Sequence, residues 1–351
     1  MKIAQVAPLY ESVPPRLYGG TERIISYLSD GLVDLGHQVT LFASAESETR
    51  AELVATRDCA LRLDPSFPVS AIAAHLSALH EVRRRAGDFD IIHFHLSHYL
   101  HFPFFEDMAW KTVTTPHGRL DYRDLPSAYK HWPRFPLISI SDRQRYPLAD
   151  ANWLATVQHG LPSRAPGSVE WAGSGKYLAF LGRLSRDKRP DRAIEIAIRS
   201  GYPLKIAAKV GDDDRSFFRD KIEPLIDGSS VEFVGEIDES QKDEFLGNAT
   251  ALLFPIDWPE PFGLAVIEAM SVGTPVVAWD NGAMPEIVDE NLTGAIVDSI
   301  EAAVEAVHRV AKLDRSAVRA TFQRRFTAER MARDYANAYA QLLALHDRSG
   351  N

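Results

Sequence analysis

The sequence predicts an α/β fold built from two doubly wound parallel-sheet domains. Three observations carry that prediction. A chain of 351 residues is too long for one ordinary core and divides naturally into two. Short β-rich runs alternate with helical stretches almost throughout, the pattern of βαβ units with helices on both sheet faces. The alternation is interrupted once, by a Gly- and Pro-rich stretch over residues 159–175, and then restarts.

The elements follow in order. Residues 3–7 form a short buried apolar run, and 21–35 carry an amphipathic helical period. Residues 38–43 read as a strand, 71–85 as a helix and 90–94 as a strand, with further short strands at 111–115 and 137–141. After the linker, 177–181 is a strand and 190–200 a helix opened by Pro190. Residues 204–208 are a strand, 216–226 a helix, and 231–234, 251–254 and 275–278 strands. Residues 266–272 and 300–312 read as helices, and 327–346 as a long terminal helix that follows no strand of its own. The expected domains are residues 1–163 and 164–326. Ligands of such sheets sit at the carboxyl ends of the strands, so a large bipartite substrate is expected in a cleft between the two domains.

Bulk properties narrow the function classes. The net charge of −9 has no basic tail to offset it, which argues against a nucleic-acid binder. A single cysteine, Cys59, has no internal disulfide partner and fits a reducing compartment. The apolar opening stretch ends at Pro8, too early for a signal-peptide core, and no run of about 18 apolar residues exists. A cytoplasmic enzyme is the expectation.

Two segments have anion-binding character. Leu181-Gly182-Arg183-Leu184-Ser185-Arg186-Asp187-Lys188 follows a strand and opens a helix. Gly182 would let backbone approach a ligand closely, and Arg183 and Lys188 can converge on one diphosphate. The alternative is a solvated basic loop; Arg186 and Arg189 read as surface residues. Tyr18-Gly19-Gly20-Thr21 joins the first strand to the first helix, where backbone N–H groups and the helix dipole favour an anion. It lacks the full dinucleotide glycine pattern, and a plain tight turn is the alternative.

The most informative stretch is Pro259-Glu260-Pro261-Phe262-Gly263-Leu264-Ala265-Val266-Ile267-Glu268. Pro261 and Gly263 keep Glu260 in the loop, while Glu268 falls within the helix. Amides of Phe262, Gly263 and Leu264 at the helix start suit an anion, and a carboxylate suits hydroxyls, so the segment fits a sugar attached to a phosphate. A glycosidase pair must flank one bond, whereas these glutamates approach from the same side.

Glu260 and Glu268 form an E-x7-E motif, and with it the sequence resembles the retaining glycosyltransferases of family 4, which have the GT-B fold. The residues from Glu268 to Ala278, Gly282-Ala283-Met284-Pro285-Glu286, Thr293-Gly294, Gly19-Gly20-Thr21-Glu22-Arg23 and the Gly182–Lys188 loop all continue the likeness. His159-Gly160 stands where Asn-Gly is common in relatives, a small departure in a turn. The resemblance implies that Arg183 and Lys188 hold the donor diphosphate. Glu260 and the amides of Phe262, Gly263 and Leu264 would bind the donor sugar, and Glu268 the ribose. Gly19 and Gly20 would approach the phosphates. His117, in Thr115-Pro116-His117-Gly118, matches the family's histidine near the reacting sugar, a structural turn histidine being the alternative. The terminal helix would cross back onto the N-terminal domain.

The resemblance further implies retention at the anomeric carbon and transfer of a hexose from a nucleoside-diphosphate sugar to an acceptor hydroxyl; the sequence does not name the donor, a UDP-glucose-like one being expected first with GDP-mannose open, and no metal or cofactor is expected. The acceptor is expected to be small or soluble. A sugar-nucleotide 2-epimerase and a non-catalytic sugar-nucleotide binder are the competing functions. Asp212-Asp213-Asp214 imitates a D-x-D metal motif but reads as acids ahead of a helix. His93, His95, His98 and His101 imitate a metal cluster without a completing carboxylate, and read either as the floor of the acceptor side or as core histidines. Ser139–Asp142 reads as a strand end and helix cap.

Overall fold

The computed structural model describes residues 1–17, 19–66, 68–163 and 176–349. Tyr18 and most of the predicted linker (164–175) lie outside the described residues. The chain forms two compact units, one running from Met1 to Pro162 and taking in the chain from Ala328 onward, the other spanning Ser163–Thr327.

The first unit contains β1 (Lys2–Val6), α1 (Gly20–Asp34), β2 (Gln38–Ser44), β3 (Glu52–Arg57), α2 (Ala71–Arg84), β4 (Ile91–Phe94), α3 (Phe102–Phe105), β5 (Thr112–Thr114), α4 (Leu125–His131), β6 (Leu137–Ser139) and β7 (Trp153–Thr156). Its seven strands lie in the order β3-β2-β1-β4-β5-β6-β7, all neighbours parallel. Burial on both faces explains the near-continuous apolar strands. Beneath the sheet, Phe102 and Phe135 stack with ring centroids 4.4 Å apart, beside buried Phe94 and Phe105. Each such side chain contributes roughly 1.5–3 kcal/mol on burial.

The second unit contains β8 (Tyr177–Arg183), α5 (Pro190–Ser200), β9 (Leu204–Lys209), α6 (Arg215–Phe217), β10 (Val231–Gly235), α7 (Glu239–Gly247), β11 (Ala249–Phe254), α8 (Leu264–Ser271), β12 (Val276–Trp279), α9 (Met284–Ile287), β13 (Gly294–Val297), α10 (Ile300–Val310) and α11 (Arg315–Arg325). Its strands lie in the order β10-β9-β8-β11-β12-β13, again all parallel. Both sheets therefore have the 3-2-1-4-5-6 order of a doubly wound fold. In it the strand order reverses beside the first strand, between β1 and β4 and between β8 and β11, and loops leaving those strands gather where ligands bind.

Three strands escape the sequence reading: the half-exposed edge strands β3 and β7, and β13, which starts on Gly294. The helix expected over 216–226 is not continuous. After α6 the chain passes through a π turn, Phe218–Ile222, and a 3-10 turn, Glu223–Leu225, because Pro224 cannot donate to a helix interior.

The last helix, α12 (Ala328–Ser349), packs on α1 within the first unit. Arg330 donates to the carbonyls of Gln158 and His159 at 2.7 and 2.9 Å, and the Gly160 N–H points at the Met331 sulfur at 3.2 Å. Tyr335 and Tyr339 are fully buried. Among the described residues no helix is long and apolar enough to cross a membrane.

Candidate active site

In the second unit, the loops leaving β8 and β11 are joined at the reversal point. The Asp257 N–H donates to the Asp187 carbonyl at 2.8 Å. Arg186–Lys188 form a 3-10 turn, and Arg189, at φ 52°, turns the chain into α5. That turn aims Lys188 at the β11 loop, where its ammonium ion-pairs with the Glu260 carboxylate. Only 18% of the Lys188 side chain and 12% of the Glu260 side chain are exposed. The same ammonium lies 4.7 Å from the Trp258 ring centroid and 5.3 Å from that of Phe254, so an aromatic face backs it.

Backbone packing holds Glu260 in place. Gly282 lies so close that an added Cβ would sit 2.2 Å from the Glu260 carbonyl oxygen, and the Ala283 N–H donates to that oxygen at 2.8 Å. Gly263, at φ 96°, makes the left-handed turn into α8, which starts at Leu264. Phe262 buries its ring in an edge contact with Phe326 at 6.2 Å, leaving its role to its backbone.

Glu268 does not join Glu260. It sits on α8, 9% exposed, and pairs with Lys242 of α7 at 3.0 Å. Arg183 closes β8, half-exposed, with Asp187 at 3.5 Å and Asp214 at 3.9 Å. The Asp212–Asp214 run is a 3-10 turn. Among the described residues no group of three His, Cys, Asp or Glu side chains is placed to hold a metal ion. Gly182 has open space where a Cβ would stand. Arg186 is exposed and covers the Phe217 ring at 5.1 Å. Arg189, read from sequence as a surface residue, is partly buried and pairs with Asp191 at 2.7 Å and Asp257 at 3.2 Å. Lys242 and Trp258 are the residues that sequence reasoning missed at this site, together with the contact of Asp214, read only as an acid ahead of a helix, with Arg183.

In the first unit, Gly19 precedes α1 and Gly20 begins it. A Cβ on Gly19 would meet Pro15 at 2.7 Å, so the approach to the helix start is tight. In the first turn, Glu22 is 6% exposed, and burial pushes its carboxyl up to about 7, with Glu11 adding repulsion.

His117 follows β5. Its Nε2 lies 2.8 Å from His95 Nδ1, and its ring stacks on His159 at 5.2 Å and 15°. Burial holds it down to about 3, and holds His93, His95 and His159 well below the ordinary histidine value. All four rings are therefore neutral over the physiological range. His93 and His95 are core histidines with satisfied hydrogen bonds. His101 stacks on Phe94 at 4.1 Å and bonds Thr114 at 2.8 Å, and His98 sits beside His75 at 4.4 Å. Ser139 ends β6, and the Ser141 hydroxyl accepts from the Gln144 N–H at 3.1 Å.

Comparison with known proteins places these two doubly wound sheets in a class of sugar-transferring enzymes. The family model described as "Glycosyl transferases group 1" matches residues 164–325, and that described as "Glycosyltransferase Family 4" matches residues 18–153. The chain is 24% identical to a phosphatidyl-myo-inositol mannosyltransferase of Mycolicibacterium smegmatis, over 99% of this chain and 94% of that protein. Among solved structures, AviGT4, a glycosyltransferase involved in avilamycin A biosynthesis, superimposes with a TM-score of 0.71 at 25% identity, covering 98% of each chain. Anabaena HepE, solved with UDP and glucose, gives 0.71 at 17% identity, over 97% of this chain and 99% of that one. The chain belongs to glycosyltransferase family 4: it is a glycosyltransferase of the GT-B fold.

Proposed function

We propose that this enzyme is a retaining hexosyltransferase that takes its sugar from a nucleoside-diphosphate sugar and passes it to an acceptor hydroxyl, without a metal ion. One observation carries the reading: Lys188 and Glu260 meet at the strand-order reversal of the second sheet. A cation for the diphosphate thus stands next to a carboxylate for sugar hydroxyls, where doubly wound sheets bind ligands. Arg183 at the end of β8 adds a second cation, and the start of α8 adds amides of Phe262, Gly263 and Leu264. Glu268 takes the ribose. In the first unit Gly19 and Gly20 serve the phosphates, and His117 accepts a hydrogen bond from the reacting sugar.

In this reading the bond from the anomeric carbon to the phosphate oxygen breaks as the acceptor oxygen bonds to the same face. The acceptor's proton passes to the departing phosphate oxygen. Arg183 and Lys188 stabilise the charge that develops there. UDP-glucose is the donor proposed first, supported by the likeness to HepE, which was solved with UDP and glucose. The mannosyltransferase likeness makes a mannose donor the next to try. The acceptor is taken to be small or soluble, and the lone Cys59 fits a cytoplasmic setting.

The test is incubation of the enzyme with a panel of UDP- and GDP-sugars. Slow release of the nucleoside diphosphate, with the donor's anomeric configuration kept in any glycoside formed, supports the reading. Inversion at C2 without release indicates an epimerase, and neither event indicates a binding protein.

A further inference from the structure

The Lys188 ammonium meets one carboxylate and two ring faces. It pairs with Glu260, and it lies over the Trp258 ring at 4.7 Å and the Phe254 ring at 5.3 Å. The two rings stand in different settings. Phe254 ends β11 and is 5% exposed, so burial in the core accounts for an apolar residue there. Trp258 lies further on, in the loop between β11 and α8, and is only partly buried. Its ring face is turned to the ammonium, on the same loop that carries Glu260.

A ring face holds a cation in a particular way. The attraction comes from the ring quadrupole and consumes none of the ammonium's three N–H donors. Carbonyl oxygens in the same place would compete with a phosphate for those donors; rings do not. Lysine also carries its charge on a flexible stem, and ordering that stem costs affinity when it happens on binding. A stem already ordered by Trp258 and Phe254 avoids most of that cost. Arg183 has no such backing: among the described residues it meets Asp187 and Asp214 and no ring.

We propose that Trp258 is a positioning residue: its ring face holds the Lys188 ammonium where it meets the donor diphosphate. The proposal rests on the reading of Lys188 as a diphosphate ligand, and it assigns Trp258 no contact with the donor itself.

The experiment is a double-substitution cycle read by calorimetric titration, with UDP or GDP as probe, whichever binds wild type. Trp258→Met keeps an apolar side chain and removes the ring face. It should weaken nucleotide binding about three- to tenfold. In a Lys188→Ala background the same substitution should add no further loss, whereas in an Arg183→Ala background it should cost about what it costs in wild type. Trp258→Phe restores a ring face and should recover most of the affinity. Should Trp258→Met fail to fold, Trp258→Leu set against Trp258→Phe makes the same comparison. An indole that touches the nucleotide, or that merely supports the loop, would cost as much without Lys188 as with it. That result overturns the proposal, and so does unchanged binding in Trp258→Met. Binding weakened by Lys188→Ala but not by Trp258→Met removes the role of Trp258 and leaves the reading of Lys188 intact. Binding of neither nucleotide to wild type removes both.

Discussion

Lys188 and Glu260 stand 72 residues apart in the chain, yet their charged groups are in direct contact, each largely shielded from water. Without donor, each neutralises the other; in the proposed function the cation would turn to the diphosphate and the carboxylate to the sugar. Lys188→Ala should therefore act twice. Loss of one charge-stabilising donor should lower turnover by about 10²–10³. The unpaired Glu260 carboxylate should also cost roughly 1–3 kcal/mol of stability, visible as a lower Tm. Arg183→Ala should lower turnover similarly with little change in Tm, since Arg183 is half-exposed.

Gly282 offers a way to move Glu260 without touching its carboxylate. A methyl group there would collide with the Glu260 backbone, at 2.2 Å from its oxygen and 2.3 Å from its nitrogen. Gly282→Ala should lower stability by about 1–3 kcal/mol and turnover with it. Denaturant melts and initial rates measure both; an unchanged rate would mean that the position of Glu260 is not critical.

The Lys242–Glu268 pair predicts a binding effect rather than a rate effect. Lys242 holds one carboxylate oxygen of Glu268 at 3.0 Å, which in the proposed function would orient the carboxylate toward the ribose. Lys242→Met should raise the donor KM about tenfold, some 1.4 kcal/mol, with kcat nearly unchanged. A donor lacking ribose hydroxyls should show much less difference between wild type and variant. Equal losses for both donors would take Glu268 off the ribose.

Glu22 predicts a pH dependence of stability. Its folded-state value, about 7, lies above the ordinary 4.5, so its stabilising contribution is complete below pH 4.5 and is lost as pH rises through 7. Glu22→Gln should match wild type near pH 4.5 and exceed it by roughly 3 kcal/mol near pH 8. Thermal melts across that range decide it; a variant no more stable than wild type at pH 8 would show that the fold does not raise the Glu22 carboxyl.

Much of this was legible in the sequence, for physical reasons. Strands buried on both faces are continuously apolar, so β1, β2, β8 and β11 announce themselves. The edge strands β3 and β7 are half-exposed and carry a mixed pattern that reads as loop. Glu260, Glu268, Arg183 and Lys188 sit in short motifs whose spacing is visible. Lys242 is not, and the contact of Asp214 with Arg183 is not visible in its acidic run, since both depend on side chains that meet only after folding. Trp258 had a signal, two residues before Glu260 in the same loop, which passed unread. The buried hydrogen bonds joining Tyr339, Gln5, His95 and His117 depend on the register of β1 against β4 and on the return of α12, neither of which spacing encodes.

The central claim is that Lys188 and its neighbours bind the diphosphate of an activated sugar. Calorimetric titration of UDP and GDP into wild type and Lys188→Ala tests it most directly. The account predicts saturable binding of one of the two to wild type and at least about tenfold weaker binding to the variant. Equal affinity in both proteins, or no binding of either nucleotide to wild type, would contradict it.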